Sequence, residues 1–265
     1  MNITIVCDVL GAENNGTTIT AMNLIRNMSA RGHHVNVVCS DEEKRGVPGY
    51  YIVPTINFGP LNGYIAKNGV KLAKADRRIL TEAMRGANVV HIMLPYSLGA
   101  AAAKIAKQLG IPYTAGCHAL AENLTTHLFL HHLEIANRLT YKIYYRLLYR
   151  DCSCVHYVSP MMCNLFESNT APTPHCIISN GVGKSFFPKA ADKPDAYRGR
   201  FVILYTGRYS REKSHEVLID GVNRSKYRDK IQLVFAGSGP LEKCLKKYAK
   251  KRLPFHPVFG FFSRG

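Results

Sequence analysis

Residues 201–224 read FVILYTGRYSREKSHEVLIDGVNR, a run of β-branched and aromatic residues followed by a loop and then a helical pattern. The first part predicts a strand at Phe201–Thr206, and the last part predicts a helix at Glu212–Arg224. The same alternation continues toward the end of the chain, with a strand at Ile231–Ala236, a helix at Leu241–Arg252 and a strand at Phe255–Phe259. Strands that alternate with helices form a parallel sheet covered by helices. The stretch therefore predicts an α/β fold.

The first 182 residues show the same alternation. Short apolar runs predict strands at Ile3–Asp8, Val35–Ser40, Tyr50–Val53, Asn88–Met93, Pro112–Cys117, Cys154–Val158 and Cys176–Ile178. Helices are predicted between them at Thr17–Arg31 and at the alanine-rich segment Leu98–Leu109, which is followed by Gly110 as a stop signal. We therefore expect a complete Rossmann-like N-terminal domain at residues 1–182.

Residues 183–199 interrupt this pattern. They read GKSFFPKAADKPDAYRG, and their mixture of Pro, Lys and Asp is typical of an interdomain linker. Residues 200–265 restart the alternation but hold only five predicted elements, which is too few for a doubly wound domain. The sequence predicts that this second Rossmann-like domain is truncated.

The positive charge of the chain is concentrated in its last third. The formal net charge is +17, and residues from Lys184 onward hold 19 Lys or Arg against 7 Asp or Glu. A basic surface attracts nucleic acid, anionic lipid headgroups and nucleotide diphosphates, and charge alone does not choose among them. No recognisable RNA- or DNA-binding motif accompanies the charge, so no specific nucleic-acid partner is expected.

Composition and cysteine usage indicate an ordinary globular protein. Hydrophobic residues make up 46% of the chain, and no apolar run reaches the ~18–20 residues that a membrane-spanning helix needs. The N-terminal stretch Met1–Cys7 lacks the basic start and cleavage site of a secretory signal. The eight cysteines contain no CxxC pair, so we expect buried reduced thiols and no metal site in a cytoplasmic protein.

Four pairs of segments, spread over nearly the whole chain, carry an ordered set of motifs. They are NNGTT (14–18) with RGHHVNVV (31–38), HIMLPYSLG (91–99) with GIPYTAGCH (110–118), SP (159–160) with ISNGV (178–182), and LYTGRYSREK (204–213) with LVFAGSGP (233–240). In this order they resemble the retaining glycosyltransferases of family 4, whose GT-B fold has two Rossmann-like domains facing each other across a cleft. The NGTT loop and the YSLG segment are most similar to diacylglycerol glucosyltransferases and their sulfolipid-forming relatives.

The resemblance implies a nucleotide-sugar site in the second domain. The family places its diphosphate-binding cations at the positions of Arg208 and Lys213, where a strand end and a helix start bring basic side chains and free N–H groups together. On charge alone, the same residues are explained as exposed loop cations. Gly207, Gly237 and Gly239 belong to the nucleotide-side loops. The last two either let the chain pass close to the nucleotide or form a turn before the next helix.

The first domain offers Gly16 and His118. Gly16 opens the first predicted helix, where a Rossmann-like fold exposes N–H groups to the cleft, but the absence of GxGxxG disfavours a dinucleotide-binding dehydrogenase. His118 follows a predicted strand, and the resemblance implies that this catalytic residue contacts the transferred sugar or the acceptor. The alternative is a structural loop histidine, which is the role we expect for His91.

The implied reaction moves a hexose from a UDP- or GDP-linked sugar to a hydroxyl acceptor, for which a membrane lipid such as diacylglycerol is the leading expectation. In retaining enzymes of this type the departing phosphate accepts the acceptor's proton, so neither a carboxylate pair, a metal nor another cofactor is expected. The family also uses two glutamates eight positions apart in the second domain, and the sequence lacks that motif. A non-catalytic, truncated remnant of such an enzyme is therefore the alternative.

The segment Leu133–Arg150 predicts an amphipathic helix. Cations recur every four residues, at Arg138, Lys142, Arg146 and Arg150, with Tyr141, Tyr145 and Tyr149 on the adjoining stripe and Leu139, Ile143 and Leu147 beyond it. A basic helix flanked by tyrosines can lie on an anionic bilayer. The alternative is a domain helix whose apolar side packs on the sheet while its cations face water. Leu241–Arg252 adds a second lysine-rich helix.

Overall fold

A computed structural model of the chain describes residues 1–8, 10, 16–57, 59, 62, 72–127, 130, 132–182, 187–188, 192–255 and 257–260, without the side chains of residues 123, 127 and 212. The chain divides into two compact units, Met1–Val182 and Gly183–Gly265. Each unit has its own parallel sheet.

In the part of unit 1 that the structure describes, the sheet has seven parallel strands in the order β3-β2-β1-β4-β5-β6-β7. Their bounds are β1 Asn2–Val6, β2 His34–Cys39, β3 Tyr50–Ile52, β4 Val89–Ile92, β5 Tyr113–Cys117, β6 Cys154–Tyr157 and β7 His175–Ile177. Because all pairs are parallel, the carboxyl ends of these strands meet at one edge of the sheet. The strand order reverses at β1, which lies between β2 and β4, and such a reversal is where open α/β sheets place ligands.

Helices cover both faces of this sheet. Their bounds are α1 Gly16–Ala30, α2 Arg77–Met84, α3 Ser97–Gln108, α4 Ala121–His127, α5 Glu134–Tyr144 and α6 Pro160–Asn169. Helix α5 continues as a π-helical turn at Tyr145–Tyr149. Alternate strand residues point to opposite faces. Val6 and Ile92 join the larger core with residues of α2, α3, α5 and α6, whereas Ile5 and Met93 join a smaller core with α1.

Within its described residues, unit 2 has three parallel strands in the order β10-β9-β8. Its elements are β8 Phe201–Thr206, α7 His215–Arg224, β9 Ile231–Ala236, α8 Glu242–Lys250 and β10 Val258–Gly260. Tyr209, Ile219, Phe235 and Leu245 lie at the centre of its core. The predicted α/β fold is confirmed.

The structure confirms β8 and β9 to the residue and corrects two neighbouring elements. The helix predicted from Glu212 begins at His215, because Arg211–Lys213 forms a 3-10 turn and Ser214 has left-handed backbone angles (φ 50°) that interrupt a helix. The strand predicted at Phe255–Phe259 is Val258–Gly260, since Pro257 has no N–H to donate to a ladder.

The sequence pattern does not predict α2 and α4. Helix α2 has a clear start signal, because the side chain of Asp76 accepts hydrogen bonds from the N–H groups of Arg78 and Ile79 at 2.8 and 3.1 Å. Of the predicted linker, residues 183–186 and 189–191 lie outside the described residues, and Asp195–Tyr197 forms a 3-10 turn. In the described part of the chain, no helix is long and apolar enough to cross a bilayer.

Candidate functional site

Asp8 lies just beyond β1, at the point where the strand order of unit 1 reverses. Its carboxylate accepts a hydrogen bond from the Ala73 N–H at 3.2 Å, and its backbone carbonyl accepts one from the Ser40 hydroxyl at 2.6 Å. The residue is 2% exposed. Burial raises the pKa of Asp8 to about 7, against the Ala73 hydrogen bond, which lowers it. Asp8 can therefore exchange a proton near neutral pH.

His118 follows β5 at the same carboxyl edge. Its ring turns back over Gly116, so closely that a Cβ atom at Gly116 would lie 2.3 Å from His118 Nε2. This Nε2 atom is buried and has no hydrogen-bond partner among the described residues. Burial, and then the neighbouring His156, lower the pKa of His118 to about 4. At neutral pH the ring is therefore uncharged and has an unused hydrogen-bonding nitrogen.

Three histidine rings lie across neighbouring strands at this place. The rings of His118 and His156 meet edge to face, with centroids 5.6 Å apart. The Nε2 atom of His156 donates to the Ile178 carbonyl at 2.6 Å, and Nδ1 of His91 lies 2.8 Å from the Thr114 hydroxyl. Burial and the two other histidines lower the pKa of His91 to about 3. His91 and His156 thus each have a protein partner, whereas the buried Nε2 atom of His118 has none among the described residues.

Gly16 is the first residue of α1 and is exposed. Its carbonyl accepts a hydrogen bond from the Thr20 hydroxyl at 2.8 Å within the helix. The first N–H groups of a helix have no intrahelical partner, so those of α1 are suited to an anionic or polar group. The Asn14 and Asn15 part of the predicted loop lies outside the described residues.

Arg208 and Lys213 lie on the loop that joins β8 to α7 in unit 2. Arg208 is partly buried two residues after the strand, and Lys213 is exposed at the end of the 3-10 turn, not at a helix start as predicted. The Tyr205 hydroxyl donates to the Lys213 carbonyl at 2.7 Å and thereby ties the turn to β8. The loop thus places two cations beyond the carboxyl end of a parallel strand.

Glycines hold this loop against the one that follows β9. A Cβ atom at Gly237 would lie 1.9 Å from the Gly207 carbonyl oxygen, and one at Gly239 would lie 2.5 Å from the Tyr209 carbonyl oxygen. Hydrogen bonds also join the loops, from Tyr209 N to Ser238 O at 2.9 Å and from Leu241 N to Tyr209 O at 3.1 Å. The glycines therefore permit a close contact between two protein loops, which is a sufficient reason for their presence.

Tyr209 anchors the same loop, and its role is not predicted by the sequence motifs. Its side chain is fully buried, and its hydroxyl donates to the Phe235 carbonyl at 2.8 Å. The ring packs edge to face on His215 and Phe259. Because Tyr209 directly follows Arg208, its burial fixes the backbone from which the Arg208 side chain extends.

Helix α5 exposes a second type of surface. A helix that bound a bilayer through its tyrosine stripe would expose that stripe to solvent. In α5 the stripe is instead turned inward, because Tyr141 and Tyr149 are buried in the core. The Tyr149 hydroxyl donates to the Gly116 carbonyl at 3.1 Å. The surface that α5 and its π-helical turn expose, called here the α5 outer face, combines aliphatic side chains with cations. The aliphatic side chains are 45–84% exposed and are Ile135, Leu139, Ile143 and Leu147. The exposed cations are Arg138, Lys142, Arg146 and Arg150.

Comparison with protein families identifies the chain. The model described as Glycosyltransferase Family 4 matches residues 14–185, and the model described as Glycosyl transferases group 1 matches residues 186–262. The chain belongs to glycosyltransferase family 4. It is a glycosyltransferase, and its two sheets are parts of a GT-B fold. No curated protein matches its sequence.

Solved structures similar to this family 4 chain have the same fold. HepE of Anabaena, in complex with UDP and glucose, is 14% identical with a TM-score of 0.66, and the match covers 100% of this chain and 70% of HepE. WaaG, a glycosyltransferase involved in lipopolysaccharide biosynthesis, is 14% identical with a TM-score of 0.61 over 98% of this chain and 70% of WaaG. The UDP-GlcNAc 2-epimerase of Neisseria meningitidis, bound to UDP-GlcNAc, is 12% identical with a TM-score of 0.51 over 100% and 73%. At such identities the likeness shows the fold alone.

Proposed function

We propose that this glycosyltransferase moves a hexose from a UDP- or GDP-linked donor to a hydroxyl acceptor with retention of the anomeric configuration. The observation that carries the proposal is the pair Arg208 and Lys213 on one braced loop beyond β8. A nucleoside diphosphate gains negative charge as the sugar leaves, and fixed cations stabilise that charge. UDP in the HepE structure supports a diphosphate ligand for this fold.

The proposed reaction needs no carboxylate pair. The bond between the sugar C1 and the diphosphate oxygen breaks, the acceptor oxygen bonds to C1, and the departing phosphate takes the acceptor's proton. We assign to His118 a hydrogen bond to the transferred sugar, because its ring is neutral and its Nε2 atom has no protein partner among the described residues. No metal and no further cofactor takes part in this scheme.

Calorimetric titration with UDP-glucose and GDP-mannose tests the donor site. Replacing Arg208 or Lys213 by Gln removes a charge-assisted hydrogen bond, so we expect about tenfold to 100-fold weaker binding in each variant. The matched control is Arg211→Gln, which removes an exposed cation from the same turn and should leave the affinity unchanged. Equal losses in all three variants would mean that only general charge attracts the nucleotide. If the wild-type chain bound neither donor, the alternative of a non-catalytic remnant would be favoured.

We further propose that the acceptor is a lipid hydroxyl, such as that of diacylglycerol, and that the enzyme reaches it from the cytoplasmic face of a membrane. The α5 outer face supports this, since exposed aliphatic side chains alternate with cations along one surface. Such a face inserts its apolar groups at the level of the headgroups, and each cation adds ~1 kcal/mol near anionic lipid.

Vesicle sedimentation tests this membrane contact. The triple variant Arg138→Gln, Lys142→Gln, Arg146→Gln should bind vesicles containing phosphatidylglycerol about 100-fold more weakly, because three contributions of ~1 kcal/mol are lost. Arg31→Gln is the control, since Arg31 is exposed just after α1, on the opposite side of the sheet from α5. Equal binding to purely zwitterionic vesicles, or no loss in the triple variant, would reject the membrane assignment. Transfer of labelled hexose into diacylglycerol-containing vesicles identifies the acceptor.

A further inference from the structure

A second cluster of reactive side chains lies away from the carboxyl edge of the sheet. Cys163 and Glu167 are four residues apart on α6, so they lie on the same face of that helix. His175 is the first residue of β7, the edge strand of unit 1, and is therefore at the amino end of that strand. The thiol, a carboxylate oxygen and an imidazole nitrogen of these residues lie within 4.8 Å of one another.

The spacing of these atoms is close to that of a tetrahedral zinc site. Nδ1 of His175 lies 3.0 Å from Oε1 of Glu167, and Sγ of Cys163 lies 3.9 Å from Nδ1 and 3.7 Å from Nε2. Bonds of 2.0–2.3 Å to a tetrahedral Zn²⁺ would separate N, O and S ligands by about 3.3–3.7 Å. The Sγ–Nε2 pair is therefore already at zinc spacing, and one ligand atom from each of the three residues lies within 4.8 Å of the other two.

The carboxylate of the cluster is already oriented by a neighbouring residue. Oε1 of Glu167 accepts hydrogen bonds from the Thr173 N–H at 2.9 Å and from the Thr173 hydroxyl at 2.8 Å, and this hydroxyl is also 3.2 Å from the Tyr157 hydroxyl. Ligands of metal sites are held by such outer hydrogen bonds. Thr173 and Tyr157 are buried, whereas His175 and Glu167 remain 32% and 19% exposed, which leaves a path for an ion from solvent.

The three residues supply a thiolate, a carboxylate and an imidazole, which are donor types that Zn²⁺ takes. A divalent cation would replace the thiol proton, which leaves to solvent as the metal–thiolate bond forms.

We propose that Cys163, Glu167 and His175 bind a Zn²⁺ ion that joins α6 to the edge strand β7, with water as the fourth ligand. The residue types are those that zinc uses, and the site requires no residue of the candidate sugar-transfer centre. The proposed zinc site differs from the sequence-based expectation of reduced thiols without a metal. The sequence does not predict it, because one Cys, one Glu and one His spread over 13 residues match no common zinc motif.

Cobalt substitution in the full chain tests the site. Co²⁺ bound to a thiolate gives a charge-transfer absorption in the near ultraviolet, so wild type should show a saturable band at one equivalent that Zn²⁺ abolishes. Cys163→Ser should lose the band. The matched control Cys176→Ser removes a half-buried thiol from β7, next to His175, and should keep the band. A band that survives in Cys163→Ser, or the absence of any saturable band in wild type, would overturn the proposal.

Two further measurements separate metal binding from a folding defect. Thr173→Val keeps the size of the side chain but removes the hydroxyl that orients Glu167, and we expect about tenfold to 100-fold weaker Zn²⁺ binding. Zn²⁺ should also raise the melting temperature of wild type and of Cys176→Ser, but not that of Glu167→Gln, because a ligand that binds only the folded state stabilises it. Equal stabilisation of all three proteins would show that the ion binds elsewhere.

Discussion

The buried carboxyl of Asp8 makes the stability of unit 1 depend on pH in a direction opposite to that of most carboxylates. Burial raises the pKa of Asp8 from 3.8 to about 7 in the folded protein. Between about pH 4 and pH 7 the folded state therefore keeps a proton that the unfolded state has lost. Stability falls with rising pH wherever the folded state binds more protons, so the free energy of unfolding decreases through this window.

The size of the effect follows from the two pKa values. At about 1.36 kcal/mol for each tenfold change in proton affinity, a pKa of about 7 against 3.8 corresponds to roughly 4 kcal/mol. Asp8→Asn removes the titration and keeps an oxygen that can accept the Ala73 hydrogen bond. We expect the variant to match wild type near pH 4 and to be more stable above pH 7, by up to roughly 4 kcal/mol.

Denaturant unfolding at pH 4 to 8, with hydrogen exchange of β1 amides as the probe of unit 1, measures this difference. Other titrating groups are common to both proteins and cancel when the two are subtracted. Glu43→Gln is the charge-matched control, because Glu43 is an exposed carboxylate of the same unit and exposed charges contribute little. A constant difference between Asp8→Asn and wild type across this range would refute the claim that burial sets the protonation of Asp8.

Three further substitutions test the glycine contacts and their neighbours. Gly116→Ala places a Cβ atom 2.3 Å from His118 Nε2, so the ring must move. We expect about 100-fold slower sugar transfer in this variant, and little added loss in the double variant with His118→Ala. Normal activity of Gly116→Ala would contradict this role of His118. In Gly239→Ala the new Cβ atom would lie 2.5 Å from the Tyr209 backbone, so the variant should destabilise unit 2 by about 1–3 kcal/mol in denaturant unfolding. The control Gly221→Ala is at an open position of α7 and should be neutral or stabilising. Tyr209→Phe removes the hydrogen bond to the Phe235 carbonyl and should cost about 1–2 kcal/mol in the same assay; an unchanged unfolding midpoint would show that this bond adds nothing.

The sequence predicts strands better than it predicts the ends of helices. Strands β8 and β9 are found to the residue because each is an apolar run that ends at Gly207 or Gly237. Helix α7 starts three residues later than predicted, since Glu212 and Lys213 are good helix formers and the left-handed Ser214 leaves no mark in the composition. Helices α2 and α4 are missed because eight and seven residues are too short for a clear apolar period.

The orientation of α5 shows what periodicity cannot decide. The segment has two apolar stripes, one of tyrosines and one of aliphatic residues, and either can face the core. The structure buries the tyrosine stripe, where Tyr141 donates to Glu122 at 2.6 Å and Tyr149 donates to the Gly116 carbonyl at 3.1 Å. An aromatic ring buries more area than an aliphatic side chain, and these hydroxyls find partners in the core. The aliphatic stripe, including Leu139, is consequently the one left at the surface beside the cations.

The candidate site residues also differ in how far a sequence can predict them. Arg208, Lys213 and His118 can be proposed from motifs because they lie at a strand end or on the loop that follows one, where ligands are expected. Asp8 is in an equivalent place, but its raised pKa depends on burial, which no local pattern records.

The sequence leaves the role of several glycines open, and the structure shows which protein atoms three of them approach. Gly116 makes room for the His118 ring, and Gly237 and Gly239 make room for the backbone of the Arg208 loop. In each case the close approach is between protein and protein, one layer behind a residue proposed to bind the substrate. A glycine beside a site can thus act by letting a second element support the functional loop. Alanine at these positions should therefore disturb the site by displacing the neighbouring protein atoms.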